Sequence, residues 1–270
     1  MSISIDYRGK TIVVIGGTSG INLGIAQAFA RQQARVAVAS RSKEKVDTAV
    51  AGLQELGARE ARGFSADVRN PEAIHTGIAE IHSDWGELDA VISGAAGNFP
   101  ATASGMSANA FKSVVDIDLL GTFHVMKAVY PFLKKPGASV INISAPQASL
   151  PMEAQSHVCA AKAGVDMITR CLAIEWGLEG IRINSIVPGP IDGTEGMARL
   201  APTETARQTV IDSVPLKRMG QPDDIANACL FLCSELASYV NGAVIPVDGG
   251  WVQAGAGGMS HFLAEFARKH

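Results

Sequence analysis

The chain has 270 residues, 47% of them hydrophobic, and sets 23 basic side chains against 26 acidic ones for a formal net charge of −3. That length supports a globular core, and the near balance of charge, with no basic run denser than "LKK" or "ARKH", excludes the electrostatic footprint of a nucleic-acid or membrane-surface binder. No window approaches the roughly 18 apolar residues of a spanning helix, and neither a secretory start nor a terminal SKL address is readable, so a cytoplasmic location is expected.

In chain order, short β-branched runs alternate with longer amphipathic stretches. Residues 11–17, 35–40, 61–68, 88–96, 138–145, 181–189 and 243–250 read as buried strands. Helical patterns lie between them at 22–33, 43–57, 71–84, 107–134, 155–179 and 222–238. Strands apolar on both faces, alternating with helices, imply a parallel sheet covered on both sides, a doubly wound α/β fold. No linker or repeat interrupts the pattern, so residues 1–270 are expected to form one domain. The longest irregular stretch, about 189–221, is expected to close over a substrate, with a C-terminal tail at about 251–270. In that tail Phe262, Leu263 and Phe266 recur at helical spacing, to pack on a neighbouring subunit or cap the pocket.

The first strand runs into "GGTSGINLG". Glycines at a strand-to-helix turn let the backbone approach a pyrophosphate, whose charge meets the free N–H groups of the helix N-terminus. The spacing departs from GxGxxG, and Asn22 stands where its last glycine would be. The candidate cofactor loop is Gly16, Thr18, Ser19, Gly20, Ile21 and Asn22. An NAD-preferring site carries an acid at the end of the second strand for the ribose hydroxyls. Here Ser40 is followed by Arg41, whose planar fork suits a 2′-phosphate, so NADPH is the expected cofactor. Asp67 and Val68 end the third strand, where they would edge the adenine. Four cysteines without CxxC spacing read as core residues, and six scattered histidines show no ligand pattern, so no metal is expected.

"GGTSGIN", "ADV", "GAAG", "DIDLLGTF", "INIS", Lys162, "PGPI" and "VDGG", in that order, resemble the short-chain dehydrogenase/reductases over nearly the whole chain. The resemblance implies a single-domain Rossmann fold, a seven-stranded parallel sheet in the order 3-2-1-4-5-6-7, and a homotetramer built on long paired helices. It adds Ala95, Ala96, Gly97, Pro188, Gly189, Ile191 and Lys162 to the expected cofactor contacts.

The departures from that family carry more information. Its proton-donating tyrosine falls on Val158, its orienting serine on Ala145 beside Ser144, and its helix asparagine on Asp118. Reduction of a ketone leaves an alkoxide that needs a proton at once, and neither valine nor alanine supplies one. "SGAAGNFPA", "AFKSVVDIDLLGTF", "HVCAAKAGVDMITRCLAIEWG" and "GPIDGTEGMARL" resemble the 2,4-dienoyl-CoA reductase branch, the peroxisomal type above all, which also lacks the tyrosine. That branch implies NADPH-dependent reduction of a dienoyl thioester through a dienolate, whose charge spreads to the thioester oxygen.

On this reading Lys162 holds the nicotinamide ribose and stabilises the dienolate. Asp118 activates a water that relays the proton, and Asn98 bonds the thioester oxygen or the ribose. Phe99, Ser144, Met197 and Leu200 are the substrate candidates, with Asn142 behind them. Arg199, Lys217 and Arg218 are candidates for coenzyme A phosphates. Two alternatives stay open: a carbonyl reductase of 3-oxoacyl thioesters or other ketones using Ser144, Gln147 or water, and a non-catalytic NADPH-binding protein.

Overall fold

A computed structural model describes residues 5–254 and 265–268. Seven parallel strands form one sheet in the order β3-β2-β1-β4-β5-β6-β7: β1 (Thr11–Ile15), β2 (Arg35–Ser40), β3 (Glu60–Ser65), β4 (Ala90–Ser93), β5 (Ser139–Ile143), β6 (Arg182–Pro188) and β7 (Val244–Val247). This is the doubly wound sheet expected from the alternating pattern, with the order reversing between β1 and β4.

The period of two along a strand sends alternate residues to opposite layers. On β1, Ile12 and Val14 join a core with Ile25 and Phe29 of α1 (Gly20–Arg31), Leu53 of α2 (Lys43–Glu55) and Ile225 of a C-terminal helix. Val13 and Ile15 face the other way, toward Ile74 and Ile78 of α3 (Pro71–Trp85) and the long helices beyond it.

The stretch expected as one helix over 107–134 is broken. It runs as α4 (Ala108–Val114), a π-helical turn (Val115–Leu120), α5 (Gly121–Val129) and a 3₁₀ turn (Tyr130–Phe132). One π turn inside a helix shifts the face that follows it, and such turns gather at functional sites; this one carries Asp118. Next comes α6 (Ser156–Gly177), which packs on β6 and on the π turn.

The expected irregular stretch over 189–221 is also corrected. It contains α7 (Glu195–Leu200) and α8 (Glu204–Ser213). Thr194 and Thr203 cap them, their hydroxyls accepting from the amides of Met197 and Ala206 at 3.2 Å each. Next come α9 (Pro222–Leu232), whose first turn presses on Gly24 of α1, and α10 (Trp251–Ala254). Of the four cysteines expected in the core, Cys229 and Cys233 lie buried on and just after α9, whereas Cys159 is half-buried and Cys171 exposed on α6.

Strands end earlier than their apolar runs: β4 stops at Ser93 where a strand to 96 was expected, and β7 at Val247 rather than 250. The residues beyond the strand ends leave the ladder to line a cleft. Phe262 and Leu263 of the expected tail lie outside the described residues. Arg268 reaches Glu153, before α6, at 3.8 Å.

Candidate active site

A cleft of about 570 Å³ opens over the C-terminal ends of β1, β2, β3 and β4, and so spans the reversal of strand order between β1 and β4. Ligands of open parallel sheets bind in this crevice. Gly16 and Gly20 hold φ of +79° and +53° there, a region in which a side chain is strained. A Cβ on Gly16 would also stand 3.0 Å from the Ala95 amide nitrogen. Thr18, Ser19, Asn22, Ala95 and Ala96 complete the inner wall, and Asp67 and Val68 the edge under β3.

Asn22 donates from Nδ2 to the Gly94 carbonyl at 2.8 Å, tying α1 to the exit of β4. This explains the asparagine in place of a glycine: it braces the loop opposite. The glycine-walled cradle and the unpartnered buried Ser40 Oγ at the lip fit a dinucleotide's phosphates and ribose. Arg41 is exposed at this lip, and so is Lys45, which the sequence reading missed although α2 places it one turn on. Asp67 is held by Arg69, which forks onto it at 2.7 and 3.0 Å and keeps its carboxyl below the usual range.

The cleft continues, past Asn22 and Gly94, into a second cavity of about 350 Å³ with mostly apolar walls. Pro188, Gly189 and Ile191 line one side, Met197, Leu200 and Trp251 the roof, and Ile21, Gly97 and Asn98 the near rim. Asp118, Lys162 and Ser144 lie at its floor with Val158. Asp118 is fully buried: Oδ1 accepts from the Gly97 amide at 2.7 Å, and Oδ2 stands 3.3 Å from Lys162 Nζ. Lys162 is 5% exposed and also donates to the Ile143 carbonyl at 3.0 Å. Burial of both charges strengthens their attraction and fixes the ammonium at the cavity floor.

Val158, at the tyrosine position, is 2% exposed and packs with Val114 and Ala161. The chain's three tyrosines are all elsewhere: Tyr7 donates to the Leu230 carbonyl, Tyr130 to Glu179, and Tyr239 is fully exposed. No phenol is available to the cavity.

Several candidates sit differently from expectation. Phe99 joins the Val158 cluster, its ring 4.5 Å from that of the buried His157, and so braces the floor from behind. Arg218 is forked onto Asp224 at 2.7 and 2.9 Å, Arg199 pairs with Glu195, and Lys217 donates to the Asp212 carbonyl at 2.6 Å. Each of the three has a protein partner. Sequence reasoning passed over His157, Asp166, Met152 and Trp251, which either line the cavity or lie directly beneath it. For Asp166 a signal existed, since it follows Lys162 at i+4 on the same helix face. Among the described residues, no cluster of three or more His, Cys, Asp or Glu could hold a metal, and no helix is long and apolar enough to cross a membrane.

A parallel sheet with its cleft at the reversal of strand order, and a buried lysine on the long helix α6, define a nucleotide-dependent oxidoreductase architecture. Residues 16–252 match the family described as enoyl-(acyl carrier protein) reductase. The chain belongs to the short-chain dehydrogenase/reductase family and is an oxidoreductase of it. It is 43% identical to the peroxisomal 2,4-dienoyl-CoA reductase of Pongo abelii, named as (3E)-enoyl-CoA-producing, over 90% of this chain and 84% of the relative. It is 38% identical to a Bacillus subtilis protein named a probable 2,4-dienoyl-CoA reductase, (2E)-enoyl-CoA-producing, over 89% of this chain and 96% of that one. A crystal structure of a Bacillus anthracis short chain dehydrogenase superposes with a TM-score of 0.79 at 37% identity, covering 90% of this chain and 96% of the other.

Proposed function

We propose that the protein reduces 2,4-dienoyl-CoA thioesters to trans-3-enoyl-CoA with NADPH. The observation that carries this reading is the cavity floor: a buried Lys162–Asp118 pair beside Val158, with no tyrosine in reach. A floor of that kind suits a delocalised anion better than an alkoxide. Relatives at about 40% identity bear the name of this activity, which supports the same reading.

NADPH, when bound, supplies the hydride. Gly16, Thr18, Ser19, Gly20, Ile21 and Asn22 hold its pyrophosphate end, with Ala95, Ala96, Gly97, Pro188, Gly189 and Ile191 along the dinucleotide. Asp67 and Val68 edge the adenine. Arg41, seconded by Lys45, takes the 2′-phosphate. The Lys162 ammonium holds the ribose and lowers the energy of negative charge spread toward the thioester oxygen, and Asn98 at the rim donates to it. Asp118, fixed by the Gly97 amide and Lys162, orients a water that delivers the proton to Cα of the dienolate. Met197 and Leu200, with Met152 and Trp251 beside them in the cavity wall, form the apolar slot for the acyl chain.

The working protein is a homotetramer on this reading. Leu120 at the end of the π turn, Phe123 on α5, and Met167 and Ile174 on α6 are exposed at 43%, 46%, 55% and 78% and offer the apolar faces for it.

The test is NADPH oxidation with 2,4-hexadienoyl-CoA and with acetoacetyl-CoA, followed by product analysis. Turnover of the dienoyl thioester to the 3-enoyl product is expected. A 2-enoyl product would move protonation to Cγ, and turnover of acetoacetyl-CoA alone would establish a ketone reductase in its place.

A further inference from the structure

Behind the cavity, α6 is preceded by Gln155, a residue type with little preference for that place. Serine, threonine, aspartate and asparagine usually stand before a helix, because their short side chains accept from its first amides. Gln155 makes no such cap, and its amide turns away from its own helix. It is fully buried, so each polar atom it carries needs a partner.

Those partners account for the whole amide. Nε2 carries two protons and donates to the Phe99 carbonyl at 3.1 Å and to the Ala154 carbonyl at 3.2 Å. Oε1 accepts from Gln147 Nε2 at 3.4 Å. Carbonyls only accept, so the amide has one orientation and both of its protons are spent. Gln155 thus ties together the loop after β4, the turn before α6 and a 3₁₀ turn after β5 (Pro146–Ala148). The turn before α6 is itself held against strain. Ala154 has a φ of +59°, in the left-handed region that disfavours a side chain, and in that pose its carbonyl takes a second donor, the Ala101 amide at 2.9 Å.

These bonds fall on either side of Asn98. Gly97, before it, gives its amide to Asp118 at 2.7 Å, and Phe99, after it, offers its carbonyl to Gln155. The Asn98 side chain is exposed on the cavity rim and makes no hydrogen bond among the described residues. Its direction is set by its neighbours, one held by the π turn and the other from the start of α6.

We propose that Gln155 is a positioning residue, which through the Phe99 carbonyl sets Asn98 where its amide donates to the thioester oxygen of the substrate. This rests on the dienoyl thioester reading above. A donor aimed beforehand at developing charge stabilises it without reorganising during the reaction. An exposed asparagine on an irregular loop has no such preorganisation of its own, and Gln155 and Asp118 supply it by holding the main chain on both sides. The Phe99 ring, packed against that of His157 two residues beyond Gln155, closes the same junction.

Gln155→Met keeps the length of the side chain and removes both donors. With 2,4-hexadienoyl-CoA its kcat is expected to fall about tenfold, while KM for NADPH stays within about twofold. Combined with Asn98→Ala, the two losses should not multiply, because the double variant has no amide left to position. An unchanged kcat in Gln155→Met overturns the proposal, and so do losses that multiply in full. Nuclear magnetic resonance of the whole protein, with glutamine side chains 15N-labelled, reads the latch without turnover. One NH2 pair that exchanges with D2O at least about tenfold more slowly than free glutamine, and is missing from Gln155→Met, is expected. Should Gln155→Met not fold, the wild type alone decides, since the lack of any protected pair overturns the proposal. Turnover of acetoacetyl-CoA alone, with the two losses still failing to multiply, sinks the substrate reading and leaves the latch standing.

Discussion

The two ends of the cleft are built from different material. The end over β1 and β2 is mostly backbone, a cradle of glycines and small residues in which one added methyl meets main chain. The end over β5 and α6 is made of side chains: an ammonium, two buried acids, a serine and an apolar roof. A backbone cradle serves any dinucleotide chemistry, whereas the side-chain end decides which reaction follows. The chemistry therefore hangs on a handful of positions, and substitutions at the two ends should separate binding from turnover.

The largest effect is expected at Lys162. Lys162→Ala strands the fully buried Asp118 beside an empty space, and breaking a buried pair from one side costs about 3–5 kcal/mol. The rate should fall by about 10³ as the cation nearest the developing charge is lost. Chemical denaturation and NADPH oxidation measure the two separately. Adding Asp118→Asn to Lys162→Met should restore most of the stability and none of the rate. Full activity in Lys162→Ala would reduce the pair to architecture and erase the contrast between the ends.

At the other end, Gly16→Val combines a left-handed backbone, costing roughly 1–2 kcal/mol for a side chain, with the close approach to the Ala95 amide. NADPH affinity, followed by fluorescence, should fall about a hundredfold while the far cavity keeps its shape. Arg41→Ala should be milder. NADPH affinity is expected to drop about tenfold, with NADH unaffected, and the gap should narrow as salt screens the exposed guanidinium. An equal loss for both cofactors would take the 2′-phosphate away from this lip.

The contrast also explains what the sequence made legible. The cradle was readable because glycines after a strand have few other reasons to cluster; the alternating apolar runs pointed to a parallel sheet covered on both faces, and the strand order came from the family resemblance. The π turn was not readable, because "SVVDIDLLGTF" keeps an ordinary helical pattern and only the packing of α5 and α6 selects the extra residue per turn. The helices of the 189–221 stretch escaped because their apolar faces are short, although Thr194 and Thr203 were available as caps. Lys162 and Asp118 stood out as survivors or replacements within a resemblance. Asp166 and His157 did not, since a lone acid or histidine on a helix says nothing until its neighbours are known.

His157 supplies the smallest test, and one that joins the floor to the loop carrying Asn98. Its ring is fully buried, packed at a tilt of 41° against Phe99 and one residue before the valine that replaces the tyrosine. Burial pushes its pKa below the ordinary 6.5, against the pull of the Phe99 carbonyl and the Asp118 charge. The unfolded chain therefore takes up a proton near pH 6.5 that the folded protein refuses until a lower pH. Between those two values the unfolded state binds more protons, so stability falls as the pH falls, by at most about 1.4 kcal/mol per pH unit. His157→Phe keeps an aromatic ring against Phe99 and removes the titration. The midpoint of thermal unfolding should decline from pH 7 to pH 5 in the wild type and decline less in the variant. Parallel curves would mean that the imidazole accepts its proton in place, through a partner or water reaching the floor, and that the substrate end is wetter than its packing implies.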